Sequence, residues 1–213
     1  MNGRTAATDP SPSRVSQPIG NGVFVAVVGP SGAGKDTVIE HARGHLADSC
    51  IIEFARRVIT RPCDGQSEQH DSMTEDEFET AEKQGAFALA WKAHGLRYGI
   101  PASADAAIRD GRVVIANASR NEIARMRRRY AMLIVAEITA EPEVLAERLA
   151  ARGRESRAEV LARLARSKPG DLGPSVFRID NSGTPDAAGD AFLRLVLQAA
   201  EHASRPVARK KSK

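Results

Sequence analysis

Apolar and polar positions change regime several times along this chain. Val23-Phe24-Val25-Ala26-Val27-Val28 is an unbroken apolar run, the pattern of a strand covered on both faces of a parallel sheet. Further strand candidates are Arg57 to Ile59, Val113 to Ala116, Leu133 to Ile138 and Val176 to Ile179, each followed by polar or helical sequence. A helix is predicted from the glycine-rich stretch after residue 28 through Leu46. Two more helix starts are marked by Thr74 with Glu77 and by Ser156 with Glu159, both at capping-box spacing. A last helix is predicted from about Pro185 to Ser204, with Ala191, Phe192, Leu195, Val196 and Ala199 on one face. Strands alternating with helices predict an α/β fold, in which helices cross over a parallel sheet and flank it.

Three stretches stand apart from this alternation. Residues 1–20 are rich in Ser, Pro, Thr and Asn without apolar periodicity, and are expected to be a disordered leader because they carry too little apolar surface to offset the entropy of ordering. The interval of about 61–101 is polar, with His70, Asp71, the capped helix and an apolar Phe87-Ala88-Leu89-Ala90-Trp91 run; it reads as an insertion rather than part of the sheet. The segment of about 148–166 carries arginine at 148, 152, 154, 157, 163 and 166. One core domain over 21–204, bearing these two insertions, suits a chain of 213 residues that is 42% hydrophobic.

The formal charge of +4 is concentrated at the end of the chain. Arg205, Arg209, Lys210, Lys211 and Lys213 supply five positive charges, so the remainder stands at about −1. Residues 205–213 are therefore expected to be a solvated basic tail, and no nucleic-acid partner is inferred. Cys50 and Cys63 are the only cysteines, too few for a disulfide framework or a cysteine-based zinc site, which fits a reducing, cytoplasmic setting. The longest apolar runs, Val23 to Val28 and Ala131 to Ala136, have six residues each, too short for a signal sequence or a membrane span. Oligomeric state is not legible.

The chemistry begins at Gly29-Pro30-Ser31-Gly32-Ala33-Gly34-Lys35-Asp36-Thr37. Placed after a buried strand and before a helix, this is the setting of a P-loop. Its glycines let backbone N–H groups turn inward on phosphate oxygens, the following helix adds its dipole, and Lys35 brings a full charge to the β- and γ-phosphates of ATP. Asp36 stands where the pattern has serine or threonine. Phosphoryl transfer asks the protein mainly for positioning and charge neutralisation, and the arginines of 148–166 could close over the donor and exclude water. Equally, Glu147, Glu155 and Glu159 could make that segment a solvated helix face. Arg148 and Arg152, which share a face, are the preferred catalytic candidates beside Lys35.

Taken with the loop, several further stretches resemble the guanylate kinase-like nucleoside monophosphate kinases, and more closely the ribose 1,5-bisphosphate phosphokinases of phosphonate catabolism. They are Arg57-Val58-Ile59-Thr60-Arg61-Pro62, Glu68 with His70-Asp71, Phe87 to Trp91, His94-Gly95-Leu96-Arg97-Tyr98-Gly99-Ile100-Pro101, and Asn117-Ala118-Ser119-Arg120. The resemblance runs from about Phe24 to Phe192. It implies a P-loop kinase with an acceptor-binding insertion and a lid, ATP and Mg2+ as cofactors, and transfer of the γ-phosphoryl group to the 1-phosphate of ribose 1,5-bisphosphate. Guanylate kinases place an acid in the stretch that here looks like Phe87 to Trp91, which has none, so a guanine acceptor is disfavoured. Arg57, Arg61, Arg97 and Tyr98 are candidate phosphate anchors, with His70, Asp71, Asn117 and Arg120 as further acceptor contacts. A guanylate or other nucleoside monophosphate kinase is the alternative, and a non-catalytic interaction module a more distant one.

For the metal, the strand Val113 to Ala116 ends at neutral Asn117. The expectation is that the acidic group has moved to Asp36, which would offer an oxygen near magnesium directly or through water. Thr37 is the rival, although a helical step of about 100° would aim its side chain elsewhere.

Overall fold

The computed structural model describes residues 17–61, 70–151, 161 and 171–204. Five strands form one wholly parallel sheet in the order β2 (Ile52–Phe54), β7 (Val113–Asn117), β1 (Val23–Val28), β8 (Leu133–Thr139), β9 (Val176–Asp180). All six residues of β1 are fully buried, as its apolar run requires at the centre of a sheet covered on both sides. One face, with Val23, Val25 and Val27, packs against α1 (Lys35–His45) and the long C-terminal α6 (Pro185–Ala203). The other, with Phe24, Ala26 and Val28, joins a cluster that includes Ala104, Ile108, Ile123 and Met126 from α3 (Ser103–Arg109) and α4 (Ile123–Arg129). Side-chain alternation along the strands makes this division.

The second face also carries a separate four-stranded sheet, in the order β4 (His70–Ser72), β3 (Arg57–Ile59), β6 (Leu96–Pro101), β5 (Phe87–Ala93). Here two expectations are corrected. Arg57 to Ile59 is not a strand of the parallel sheet: the amide of Ala55 makes the last bond to β7, at Ile115, and the chain then leaves for the second sheet. The insertion thus starts near residue 57 rather than 61, and it is itself a sheet. His70 and Asp71 lie on strand β4, with His70 buried and Asp71 exposed. Helix α2 (Glu75–Lys83) starts at the foreseen capping box, with Thr74 accepting from the Glu77 amide and Glu77 accepting from the Thr74 amide.

Residues 17–20 of the expected leader are described. Ile19 pairs with Tyr130, its amide donating to the Arg129 carbonyl and its carbonyl accepting from the Ala131 amide, because its side chain packs on the second core cluster. Helix α5 (Pro142–Ala150) follows β8. The expected helix start at Ser156 and Glu159, Arg152, most of the lid segment, residues 1–16 and the tail 205–213 lie outside the described residues. No helix among the described residues is long and apolar enough to cross a membrane.

Candidate active site

The glycine loop emerges from the C-terminal end of the central strand, where a doubly wound sheet opens a crevice for ligands. Its backbone needs glycine. Gly32 and Gly34 both sit at φ 85, a left-handed conformation that side chains resist, and a Cβ on Gly29 would stand 2.2 Å from the Ile138 carbonyl oxygen. Lys35 opens α1, and its ammonium donates to the carbonyls of Gly29 and Pro30 at 3.0 Å each. The cation is thereby held against the loop's own carbonyls. Ser31 and Thr37 are exposed.

Asp36, in the first turn of α1, accepts a 2.8 Å hydrogen bond from the Asn117 side-chain amide at the end of β7. Asn117 is buried, and its Oδ1 has no hydrogen-bond partner. Asp36 thus meets the end of the neighbouring strand. The orphaned Asn117 oxygen beside a carboxylate is a donor set that suits a hard cation. Among the described residues no group of three or more His, Cys, Asp or Glu could hold a metal ion. Such a sparse set fits magnesium, which keeps several waters and takes further oxygens from nucleotide phosphates.

Asp36 and Asn117 also line a cavity of about 40 Å³ with Glu40, Arg43 and Arg57. Arg57 is buried and its guanidinium stands 5.4 Å from the centre of the Tyr98 ring. Tyr98 in turn stacks on Trp91, with centroids 5.5 Å apart and planes 8° from parallel. This Arg–Tyr–Trp stack ties the second sheet together and sets one cation of that sheet facing the P-loop helix. Trp91 belongs to the second core cluster.

The other candidates of the second sheet are placed less simply. Arg97 is enclosed by Glu75, Glu79 and Glu82, which raise its pKa chiefly through the Glu75 hydrogen bond. Its charge is used at the α2 rim, so we do not carry it forward as a phosphate anchor. Asp71 pairs with Arg56 at 3.1 Å. His70 contacts the Arg61 carbonyl at 3.3 Å, and exposed Ser72 donates to the same carbonyl at 2.8 Å. Arg61 is the last described residue before 70.

Arg148 is set against the loop from the other side. It donates to the Asn181 carbonyl at 2.9 Å, and its buried Nη1 has no partner. That nitrogen is 4.0 Å from where a Cβ on Gly34 would stand. Asn181, buried just past β9, donates to the Ala33 carbonyl at 2.8 Å, so one residue braces both the loop and the arginine.

Sequence patterns did not single out Asn181, Arg43 or Glu137. Glu137 is buried near the end of β8, in register with Val28, and meets Arg120 at 3.4 Å and Arg178 at 3.0 Å. Its signal was present: it is the sole charge within the run Leu133-Ile134-Val135-Ala136-Glu137-Ile138, and a charge in a strand covered on both faces demands partners. Arg43 falls on the helical face of Asp36 at i+7.

No family model matches the chain. It is 51% identical over 187 residues to "Ribose 1,5-bisphosphate phosphokinase PhnN" of Chelativorans sp. (strain BNC1), covering 86% of this chain and 88% of that protein. It is 53% identical over 173 residues to the protein of the same name from Brucella melitensis biotype 2, covering 81% and 90%. The chain belongs to the ribose 1,5-bisphosphate phosphokinase family. Guanylate kinase from Anaplasma phagocytophilum shares the fold, with a TM-score of 0.57 at 16% identity, over 87% of this chain and 88% of that one. A ribose 1,5-bisphosphate phosphokinase family member thus has the guanylate kinase-like architecture expected from its P-loop and insertion, with a second sheet whose β5 carries no carboxylate.

Proposed function

We propose that this protein transfers the γ-phosphoryl group of ATP to the 1-phosphate of α-D-ribose 1,5-bisphosphate, forming 5-phospho-α-D-ribose 1-diphosphate and ADP in the cytoplasm, within phosphonate catabolism. An oxygen of the acceptor's 1-phosphate forms the new P–O bond, and the bond between the γ-phosphorus and the β–γ bridging oxygen breaks, leaving its electrons on ADP. The observation that carries this reading is family membership at about half identity across more than four-fifths of the chain.

The residues divide the work as follows. Amides of Gly29 to Lys35 cradle the nucleotide phosphates, and the Lys35 ammonium neutralises charge at the β- and γ-phosphates. Asp36, with the Asn117 oxygen behind it, is the place for Mg2+, which supplies charge neutralisation across the nucleotide phosphates. Arg148, braced by Asn181, approaches the loop from the opposite wall, and Arg152 is proposed to act with it. Arg57, Arg61 and Arg120 receive the acceptor's phosphates. No general base is required, because a phosphate monoester with a second pKa near about 6 is largely dianionic at neutral pH, which agrees with a site made of cations rather than of an acid–base pair.

Phosphorus NMR of a reaction of ATP, Mg2+ and ribose 1,5-bisphosphate tests the assignment. The account expects a coupled pair of diphosphate signals growing at the anomeric position while the 5-phosphate resonance stays put. ATP consumption with no diphosphate on the sugar would refute the acceptor assignment.

A further inference from the structure

The Arg120, Glu137 and Arg178 cluster lies apart from the Asp36–Asn117 pair. β1 and β8 run in register so that Glu137 lies beside Val28, one residue before Gly29. β7 pairs Asn117 with Val27 on the other flank of β1. The cluster therefore stands at the very edge from which the phosphate loop springs. Alternation puts Glu137 on the face of Val28, which packs in one cluster with Ala88, Leu89, Trp91 and Ile100 of the second sheet. Asp36 and Asn117, by contrast, belong to the opposite, α1 side. Glu137 thus stands on the side of the sheet that the acceptor-binding insertion covers.

Its chemistry is unusual for a buried strand residue. The Glu137 side chain is only 6% exposed, and each carboxylate oxygen is committed: Oε1 to Arg120 and Oε2 to Arg178. Two guanidinium groups answer one carboxylate, so the cluster keeps a net positive charge. Arg120 contributes its Nη2 at a long 3.4 Å, while its buried Nε has no hydrogen-bond partner. A guanidinium carries five N–H donors in a rigid fork, so most of those on Arg120 are not spent on Glu137. A partly exposed cation with one buried, orphaned donor, held by one carboxylate at the mouth of a phosphate site, is suited to receive an anion.

We propose that Glu137 is a positioning residue that fixes Arg120 so that its remaining donors grip a phosphate group of the acceptor. The proposal rests on the reading of this site as a kinase that phosphorylates a phosphate-bearing acceptor, and it names the residue pair that selects that acceptor. Arg178, three-quarters exposed, balances the second carboxylate oxygen and leaves Arg120 as the working cation.

The test is a double-mutant cycle on the full-length enzyme with Glu137→Gln, Arg120→Ala and the double variant, measuring kcat and both KM values by ADP release. Glu137→Gln keeps the shape and loses the charge. The expected result is a rise of about tenfold or more in KM for the acceptor with KM for ATP within about twofold. In the Arg120→Ala background the same change should add less than about twofold, since there is no guanidinium left to orient. Equal losses for ATP and acceptor, or effects that multiply independently, would overturn the proposal. Should Glu137→Gln unfold the protein, Arg120→Lys, which keeps a charge but loses the planar fork, must give the same acceptor-only rise or the proposal fails. Ribose 1,5-bisphosphate and GMP are both run on the unaltered enzyme first: turnover of GMP alone would defeat the acceptor reading, and the cycle measured with GMP would still decide the role of Glu137.

Discussion

Asp36 shows how one residue can be read from sequence and why its surroundings cannot. Its place in the loop pattern was visible, and so was the neutral Asn117 ending the candidate strand. That the two would meet at 2.8 Å depends on β7 lying next to β1, which a sequence does not state. If Asp36 is the carboxylate near magnesium, Asp36→Ala should raise the Mg2+ concentration for half-maximal activity by about tenfold or more, and should likewise weaken the magnesium-dependent part of ADP binding in calorimetry. Asp36→Ser, which keeps an oxygen, should fall between the variant and the parent. Identical magnesium dependence in all three proteins would remove Asp36 from the metal site. Arg97 teaches the complementary lesson. It had the right type and the right motif, but three glutamates three, four and seven residues apart on the neighbouring capped helix converge on its guanidinium, and that convergence required the fold.

At the scale of elements, the legible parts were those in which local chemistry dictates structure. The unbroken run of β1, the capping box of α2 and the apolar stripe of α6 were all found where the residues said. The short strands were not: Ile52–Phe54 and His70–Ser72 have three residues each, too few for a period of two to declare itself. Arg57–Ile59 was recognised as a strand, but nothing within three residues says which of two sheets receives it. The capping box gives a prediction with a definite sign. Hydrogen bonds from the Thr74 amide and hydroxyl hold the Glu77 carboxyl below its ordinary 4.5. A depressed carboxyl contributes stability that is complete above its unfolded pKa and fades as pH falls through the folded one. Thermal unfolding from pH 7 downward should therefore show Glu77→Gln converging on the parent protein as the pH falls through the lowered Glu77 pKa, and Thr74→Ala should lower stability by about 1 kcal/mol at pH 7. A constant gap between Glu77→Gln and the parent at every pH would show that the charge of Glu77 plays no part in the cap.

For the molecule as a whole, the two sheets share one labour. The parallel sheet provides a rigid edge on which the loop, Asp36 and Glu137 are fixed, and the second sheet sets Arg57 opposite them through the stack of Arg57, Tyr98 and Trp91. The α/β class and the presence of an insertion were legible in the alternation of runs; that the insertion is a sheet covering one face of the other was not, because strand pairing between distant segments leaves no local mark. The central claim is that this second sheet, lacking a carboxylate on β5, has given up the base in favour of a sugar bisphosphate. The direct measurement is kcat/KM for ribose 1,5-bisphosphate and for GMP with the same enzyme, ATP and Mg2+. A site without partners for guanine is expected to favour the sugar bisphosphate by about a thousandfold or more. Equal values, or a preference for GMP, would contradict the account.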